Sequence, residues 1–206
     1  MEEKKTPYAP DNLIGRPLEH YLALFREADC TEIAERTGIP CVDGRFSLRV
    51  LGEEKQITWP DFADEGWKDK ERILFLRFLL EGKKPRPVSG FVTYRELPWG
   101  EVYDRQFHNR CIFRLAGTYG TRAAVFAAQC EALGGVRLSG SGTGYEFAFL
   151  PGLSVRMVLW EGDEDFPASA QILFSDNFPD AFSSEDCVII CETILGRLPR
   201  AQKKEA

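Results

Sequence analysis

The sequence lacks the short motifs that usually announce metal or nucleophile chemistry. Its 206 residues include only two histidines and no Cys-x-x-Cys pair. Because protein zinc sites are built mainly from closely spaced cysteines and histidines, these absences argue against a structural zinc site. There is also no Gly-x-Ser-x-Gly segment, so the signature of a serine hydrolase is missing.

Long apolar runs and basic runs are also missing. The apolar stretch 73–80 is interrupted by Arg77 and is far shorter than the roughly 20 residues that a membrane span requires. With 26 Lys plus Arg against 32 Asp plus Glu, the net charge is −6. Nucleic-acid affinity rests largely on clustered Lys and Arg. We therefore expect neither a membrane nor a nucleic-acid partner.

The first residues contain no apolar segment of the kind found in secretory signals. This favours a cytoplasmic location, where the six cysteines would remain thiols. A composition of 44% hydrophobic residues is that of a folded chain. At 23.3 kDa, about 70% of the unfolded surface can be buried. We predict a single domain over residues 13–198, with flexible termini at 1–12 and 199–206.

Apolar residues at helical spacing predict several helices and a β-hairpin at 46–59. The predicted helices cover about 18–25, 31–38, 68–80, 102–115 and 121–133, and a last one begins at Ser183 or Ser184. Four strand-like segments follow one another in the C-terminal half, at 136–138, 145–149, 154–160 and 168–174. Their short Gly- or Pro-bearing connections favour an antiparallel meander, since parallel crossovers need a dozen or more residues. The predicted fold is α+β: this meander with helices packed on one face, plus a helical N-terminal lobe containing the hairpin.

Two features resemble binding motifs but have simpler explanations. The glycine cluster 140–144 could cradle a phosphate, yet it lies between two predicted strands and lacks a Walker lysine, which favours a hairpin connection. Cys187 and Cys191 lie four residues apart on one helix face and could supply two metal ligands. Because cysteine is often buried, packing in the core is the favoured role for both.

Two denser patches carry the functional hypotheses. Asp163-Glu164-Asp165 follows a predicted strand, and such a cluster either holds a hard divalent cation or forms a solvated acidic turn. In the segment 94–104, aromatic rings alternate with charges around Pro98-Trp99-Gly100. That composition suits a ligand cleft or an interface hot spot, and it equally suits a loop that closes the core.

The same patches carry a resemblance to a known family. The motifs YRELPWGEVY at 94–103 and LWEGDEDFPASAQILF at 159–174 resemble a domain-of-unknown-function family of anaerobic bacteria and archaea. The resemblance covers about residues 20–195 and implies work beside iron–sulfur or corrinoid proteins in redox or one-carbon metabolism. The sequence departs from the family pattern at Ser175, where an aspartate is expected, and at 142–144, where an acidic residue is expected. Both departures argue against a metal site that would use these carboxylates.

The leading hypothesis is a cytosolic accessory protein that binds a small anionic ligand or a partner protein. Its cleft would be lined by Arg95, Glu96, Trp99, Tyr103, Asp163 and Asp165. The guanidinium of Arg95 would anchor a carboxylate or phosphate, while the aromatic rings would cover an apolar part of the ligand. One alternative is an enzyme in which Asp163 and Asp165 hold a divalent metal and Glu96 or Glu164 acts as general base. Another is a purely structural interaction module.

Overall fold

The computed structural model describes residues 18–63 and 66–201. The predicted flexible segments 1–12 and 199–206 and the predicted start of the domain at residue 13 lie mainly outside these ranges. Only 199–201 are described, and they belong to the end of the last helix. None of the helices in the described ranges is long and apolar enough to cross a membrane.

The N-terminal part begins with α1 (Leu18–Glu27) and α2 (Cys30–Thr37). The side chain of Asp29 accepts a hydrogen bond from the Thr31 amide at 2.6 Å, which caps an otherwise unpaired donor at the start of α2. Gly38 ends α2 with a φ of +73°, a conformation that costs glycine little. The predicted short helix is thus confirmed.

A three-stranded antiparallel sheet follows, made of β1 (Cys41–Val42), β2 (Arg45–Val50) and β3 (Glu53–Thr58). The strand β2 alternates between exposed and buried residues, as the sequence predicted. Leu51 and Gly52 form the two-residue turn, and both have positive φ, which matches the twist of a tight hairpin. The predicted hairpin is confirmed, with β1 as an extra short strand on its edge.

The second sheet has five antiparallel strands in the order β4-β8-β7-β6-β5. They are β4 (Phe91–Thr93), β5 (Val136–Arg137), β6 (Thr143–Leu150), β7 (Leu153–Trp160) and β8 (Ser169–Ser175). The last four are the predicted meander. The strand β4 was not predicted, because three residues cannot show an alternating pattern. It pairs with β8 and so forms the other edge of the sheet.

The remaining helices connect these strands and follow them. They are α3 (Asp69–Glu81), α4 (Gly100–Phe107), a π-helical segment (His108–Ile112), α5 (Phe113–Tyr119), α6 (Ala123–Ala132) and α7 (Ser184–Ala201). The sequence predicted one uninterrupted helix over 102–115, whereas the π-helical segment divides it. Along β7 every second residue is buried, which agrees with helices covering one face of the sheet.

Candidate functional site

A cavity of about 280 Å³ lies between α3, α4, the π-helical segment and α7. Four apolar side chains contribute to its walls: Ile73, Leu74, Val188 and Ile189. The other lining residues are polar or aromatic, and two of them, Arg77 and Asp186, are charged and buried. An apolar pocket with a few convergent polar groups is the usual form of a small-molecule site.

The buried charge in this cavity comes from α3 and α7. Arg77 lies in α3 with only 6% of its surface exposed, and its Nη1 is 3.1 Å from Oδ1 of Asp186. The Nη2 of Arg77 also donates to the Ser183 hydroxyl at 3.0 Å. Asp186 is held by its own helix start, since its Oδ2 accepts a hydrogen bond from the Ser183 amide. The capping box of α7 therefore aims a buried carboxylate at Arg77.

Glu185 brings a second carboxylate to the same place. Its Oε2 lies 3.8 Å from Nη1 of Arg77, and the hydroxyl of Tyr103 from α4 lies within hydrogen-bonding reach of its carboxylate. Burial raises the pKa of Glu185, with Tyr103 and Arg77 opposing the shift. Burial likewise raises the pKa of Asp186. Glu185 thus takes up a proton more readily than an exposed glutamate, so it can act as an acceptor or as a donor.

Two polar atoms of this cluster have no hydrogen-bond partner. Within the described ranges, Nε of Arg77 and Oε2 of Glu185 are buried and make no hydrogen bond. A buried polar atom without a partner costs about 1–3 kcal/mol, and such atoms are rare in folded proteins. One of the two atoms is a donor and the other an acceptor, and both belong to residues that line the cavity.

The rim of the cavity is formed by a second set of charges. Nε and Nη2 of Arg110, in the π-helical segment, donate to the two carboxylate oxygens of Glu192 at 2.9 and 2.8 Å. Lys70 is 71% exposed, with its Nζ 3.8 Å from Glu192. Single π-helical turns often mark functional sites. Here the π-helical segment carries Arg110 at the cavity and ties it to α7.

Aromatic and thiol groups pack around the cavity. Tyr94 stacks on Phe107 with ring centroids 4.1 Å apart, and burial raises the pKa of Tyr94. Cys187 and Cys191 are buried in α7, which agrees with the core-packing interpretation of this pair. Burial raises the pKa of both thiols.

Of the six residues expected to line a cleft, Tyr103 is the one found in this cavity. Arg95 lies in a short 3-10 helix (Tyr94–Glu96) and is exposed, with Nε 3.7 Å from a carboxylate oxygen of Glu101. Glu96 accepts hydrogen bonds from the amide and hydroxyl of Thr93, both at 2.7 Å. These bonds lower the pKa of Glu96.

Trp99 directly precedes α4 and has a φ of +64°, with 44% of its surface exposed. A role for Trp99, Arg95 and Glu96 in binding stays a prediction. In all three, the contacts of the side chain or backbone are those of a loop that leads into α4.

Asp163 and Asp165 lie in an exposed turn between β7 and β8. Oδ1 of Asp163 accepts hydrogen bonds from the amides of Asp165 and Phe166, at 2.9 and 2.7 Å. No group of three or more His, Cys, Asp or Glu side chains is arranged to hold a metal ion within residues 18–63 and 66–201. The metal-dependent alternative stays a prediction, and the observed contacts are those of a self-bonded acidic turn.

Arg77, Glu185 and Asp186 were not among the site residues predicted from the sequence. One signal was present, because a lone arginine in an apolar helical run needs a buried acidic partner. Glu185 and Asp186 stand together at the start of α7, where acidic residues are common for dipole reasons alone. Their neighbours in the sequence do not show whether these carboxylates only stabilise the helix start or also pair with an arginine more than a hundred residues away.

Comparison with known proteins places the chain in a family. The model of the family described as Domain of unknown function (DUF3786) matches residues 29–197, which is most of the chain. No curated protein and no solved structure matches it. The resemblance to a domain-of-unknown-function family is thereby confirmed, whereas the range in anaerobes and the two motifs stay predictions. The chain belongs to the domain-of-unknown-function family DUF3786.

Proposed function

We propose that the protein binds a small molecule in the cavity between α3, α4 and α7. The observation that carries this proposal is the buried ion pair of Arg77 with Asp186 beside Glu185, where Arg77 Nε and Glu185 Oε2 make no hydrogen bond. Buried charges with perturbed pKa values inside a cleft are typical of functional sites. A ligand that pairs with both atoms would remove the cost of leaving them unsatisfied.

The cavity also limits the chemistry of the ligand. Its volume of about 280 Å³ suits a metabolite-sized molecule or part of a larger one. The molecule needs an acceptor for Arg77, a donor or acceptor for Glu185, and an apolar body for the aliphatic wall. An anionic group would reach Lys70 at the rim, the role that sequence analysis gave to Arg95.

The cellular setting that we propose follows the family resemblance. It is an accessory role in the cytoplasm, beside iron–sulfur or corrinoid proteins of anaerobic redox or one-carbon metabolism. A protein partner and a small ligand are compatible in such a role, because an accessory protein can deliver or sense the molecule that it binds.

A screen of small polar metabolites by thermal shift, followed by calorimetry, tests the proposal. Tyr103→Phe and Glu185→Gln should each weaken the binding of a confirmed ligand about tenfold or more. A hydrogen bond to a charged group contributes about 1.5–3 kcal/mol. Arg95→Ala and Trp99→Leu are the matched variants in the sequence-predicted loop. If only this second pair weakens binding, the ligand site is the loop and the cavity assignment is wrong.

A further inference from the structure

A second concave surface adjoins the cavity. It is an open groove of about 550 Å³ between β3, the start of α3, α5 and α7. Lys70 and Ile189 line both the groove and the cavity, so the two form one continuous surface. We call this surface the basic groove because five cationic side chains line it: Lys55, Lys68, Lys70, Arg114 and Arg197.

The charge of the basic groove is opposite to that of the whole chain. Its five cations face three carboxylates, those of Glu53, Glu71 and Glu192, whereas the chain as a whole carries −6. A concave surface with an excess of one sign of charge concentrates ligands of the other sign. The local excess of positive charge is therefore not a consequence of composition.

Several of these cations are free to meet a ligand. Within the ranges that the structure describes, neither Lys68 nor Arg114 forms an ion pair at contact distance, and Arg114 attracts the carboxylate of Glu192 only from farther away. Lys55 and Lys70 lie at 3.9 and 3.8 Å from their carboxylates, which is loose for a hydrogen-bonded pair. Arg197 is better held, at 3.4 Å from Glu53 and 3.3 Å from Glu71. The carboxylates thus fix Arg197 and leave most of the lysines available.

We infer that the basic groove binds the phosphate chain of a small phosphorylated molecule. Guanidinium and ammonium groups spread along a groove suit several phosphate oxygens better than a single carboxylate. Because the groove continues into the cavity, one ligand would place its phosphates on Lys68 and Arg114 and its body beside Arg77. That last step rests on the proposed function, whereas phosphate binding by the groove alone does not.

Calorimetric titration of the intact chain with tripolyphosphate tests the groove without the cavity. We expect saturable binding that weakens as salt is added, because salt screens exposed charges. The double variant Lys68→Gln/Arg114→Gln should weaken it about tenfold or more. The matched control Lys83→Gln/Arg105→Gln removes the same charge from exposed residues that do not line the groove, and it should bind like the wild type.

The other outcomes overturn the inference. No binding at low salt, or an equal loss in both double variants, would mean that the groove is not a phosphate site. Tighter binding of a short single-stranded oligonucleotide than of tripolyphosphate would assign the groove to nucleic acid instead. If tripolyphosphate binds as expected while the cavity variants Tyr103→Phe and Glu185→Gln leave every screened ligand unaffected, the groove stands and the proposed cavity function fails.

Discussion

At the scale of single residues, Asp176 joins the end of β8 to the loop before β4. Its carboxylate accepts hydrogen bonds from the Arg86 guanidinium at 2.8 Å and from the Ser89 amide at 3.0 Å. These contacts hold the pKa of Asp176 far below its usual range. The carboxylate therefore stabilises the fold when it is charged, and protonation removes that stabilisation.

Asp176→Asn should lower the thermal midpoint at neutral pH. An aspartate with a lowered folded-state pKa contributes stability above its unfolded value, near 3.9, and loses it as the pH falls towards the folded value. The difference between variant and wild type should shrink below about pH 4. Thermal melts across this range measure it, with Asp165→Asn in the exposed turn as control. A difference that does not change with pH would contradict the account.

Removing the charge of Glu185 should have the opposite effect on stability. Burial raises its pKa, so the charged form is penalised in the folded state above that pKa, and the penalty disappears below the unfolded value near 4.3. Glu185→Gln should therefore raise the free energy of unfolding at neutral pH, and the gain should fade as the solution is acidified. Urea titrations at several pH values measure this. A variant that is less stable at neutral pH would show that its pairing with Arg77 outweighs burial.

The six cysteines should fall into two reactivity classes. Cys30 and Cys41 are half-buried, whereas the other four are buried. Burial keeps a reagent away from the second group, and it also raises the pKa of Cys130, Cys187 and Cys191, which lowers their thiolate fraction. A thiol reagent added to the native protein should label two residues quickly and the rest only after unfolding. Peptide mapping identifies them, and rapid labelling of Cys191 would contradict the packing described for α7.

At the scale of elements, the entry into α4 depends on a close backbone approach. A Cβ on Gly100 would lie 2.0 Å from the carbonyl oxygen of Tyr94, whereas a Cβ on Gly117 in α5 would meet nothing within 4 Å. Gly100→Ala should destabilise the protein by about 1–3 kcal/mol. Gly117→Ala should stabilise it by about 0.5–1 kcal/mol, because alanine favours a helix. Urea unfolding of both variants compares them, and a stable Gly100→Ala would contradict the packing of Tyr94 beneath α4.

The pairing of α3 with α7 depends on the buried charges between them. Arg77→Met would leave the carboxylate of Asp186 buried without its cation, which should cost about 3–5 kcal/mol. Adding Asp186→Asn removes the stranded charge and should recover part of the loss. Chemical denaturation of the single and double variants measures the coupling. An equal loss of stability in the single and the double variant would show that the ion pair does not join these helices.

Local patterns were sufficient for much of the fold but not for the cavity. The alternation in β2 and the end of α2 at Gly38 depend on neighbouring residues, so they could be predicted. The cavity unites Arg77, Tyr103 and Glu185 from three helices, and only tertiary packing brings such distant positions together. The charged residues Arg95 and Glu96 were more conspicuous in the sequence, yet their contacts are local. A dense local pattern of charges and aromatic rings therefore did not point to the cavity.

At the scale of the whole molecule, the cavity and the basic groove share the surface between α3 and α7. The helix α7 also carries buried residues along most of its length, so the site depends on the complete fold. A ligand that binds only the folded state raises its stability by about 2.7 kcal/mol at a concentration a hundred times its dissociation constant. Ligand binding should therefore be visible as a change in global unfolding rather than as a local event.

Native mass spectrometry of the protein purified without oxygen tests the central claim most directly. The account predicts excess mass over the denatured chain, from a small molecule released on unfolding. Gln106→Trp, which fills the cavity mouth from an exposed position, should lose that mass, whereas Arg105→Trp beside it should keep it. A bare chain mass in the wild type, or excess mass that survives Gln106→Trp, would contradict small-molecule binding in this cavity.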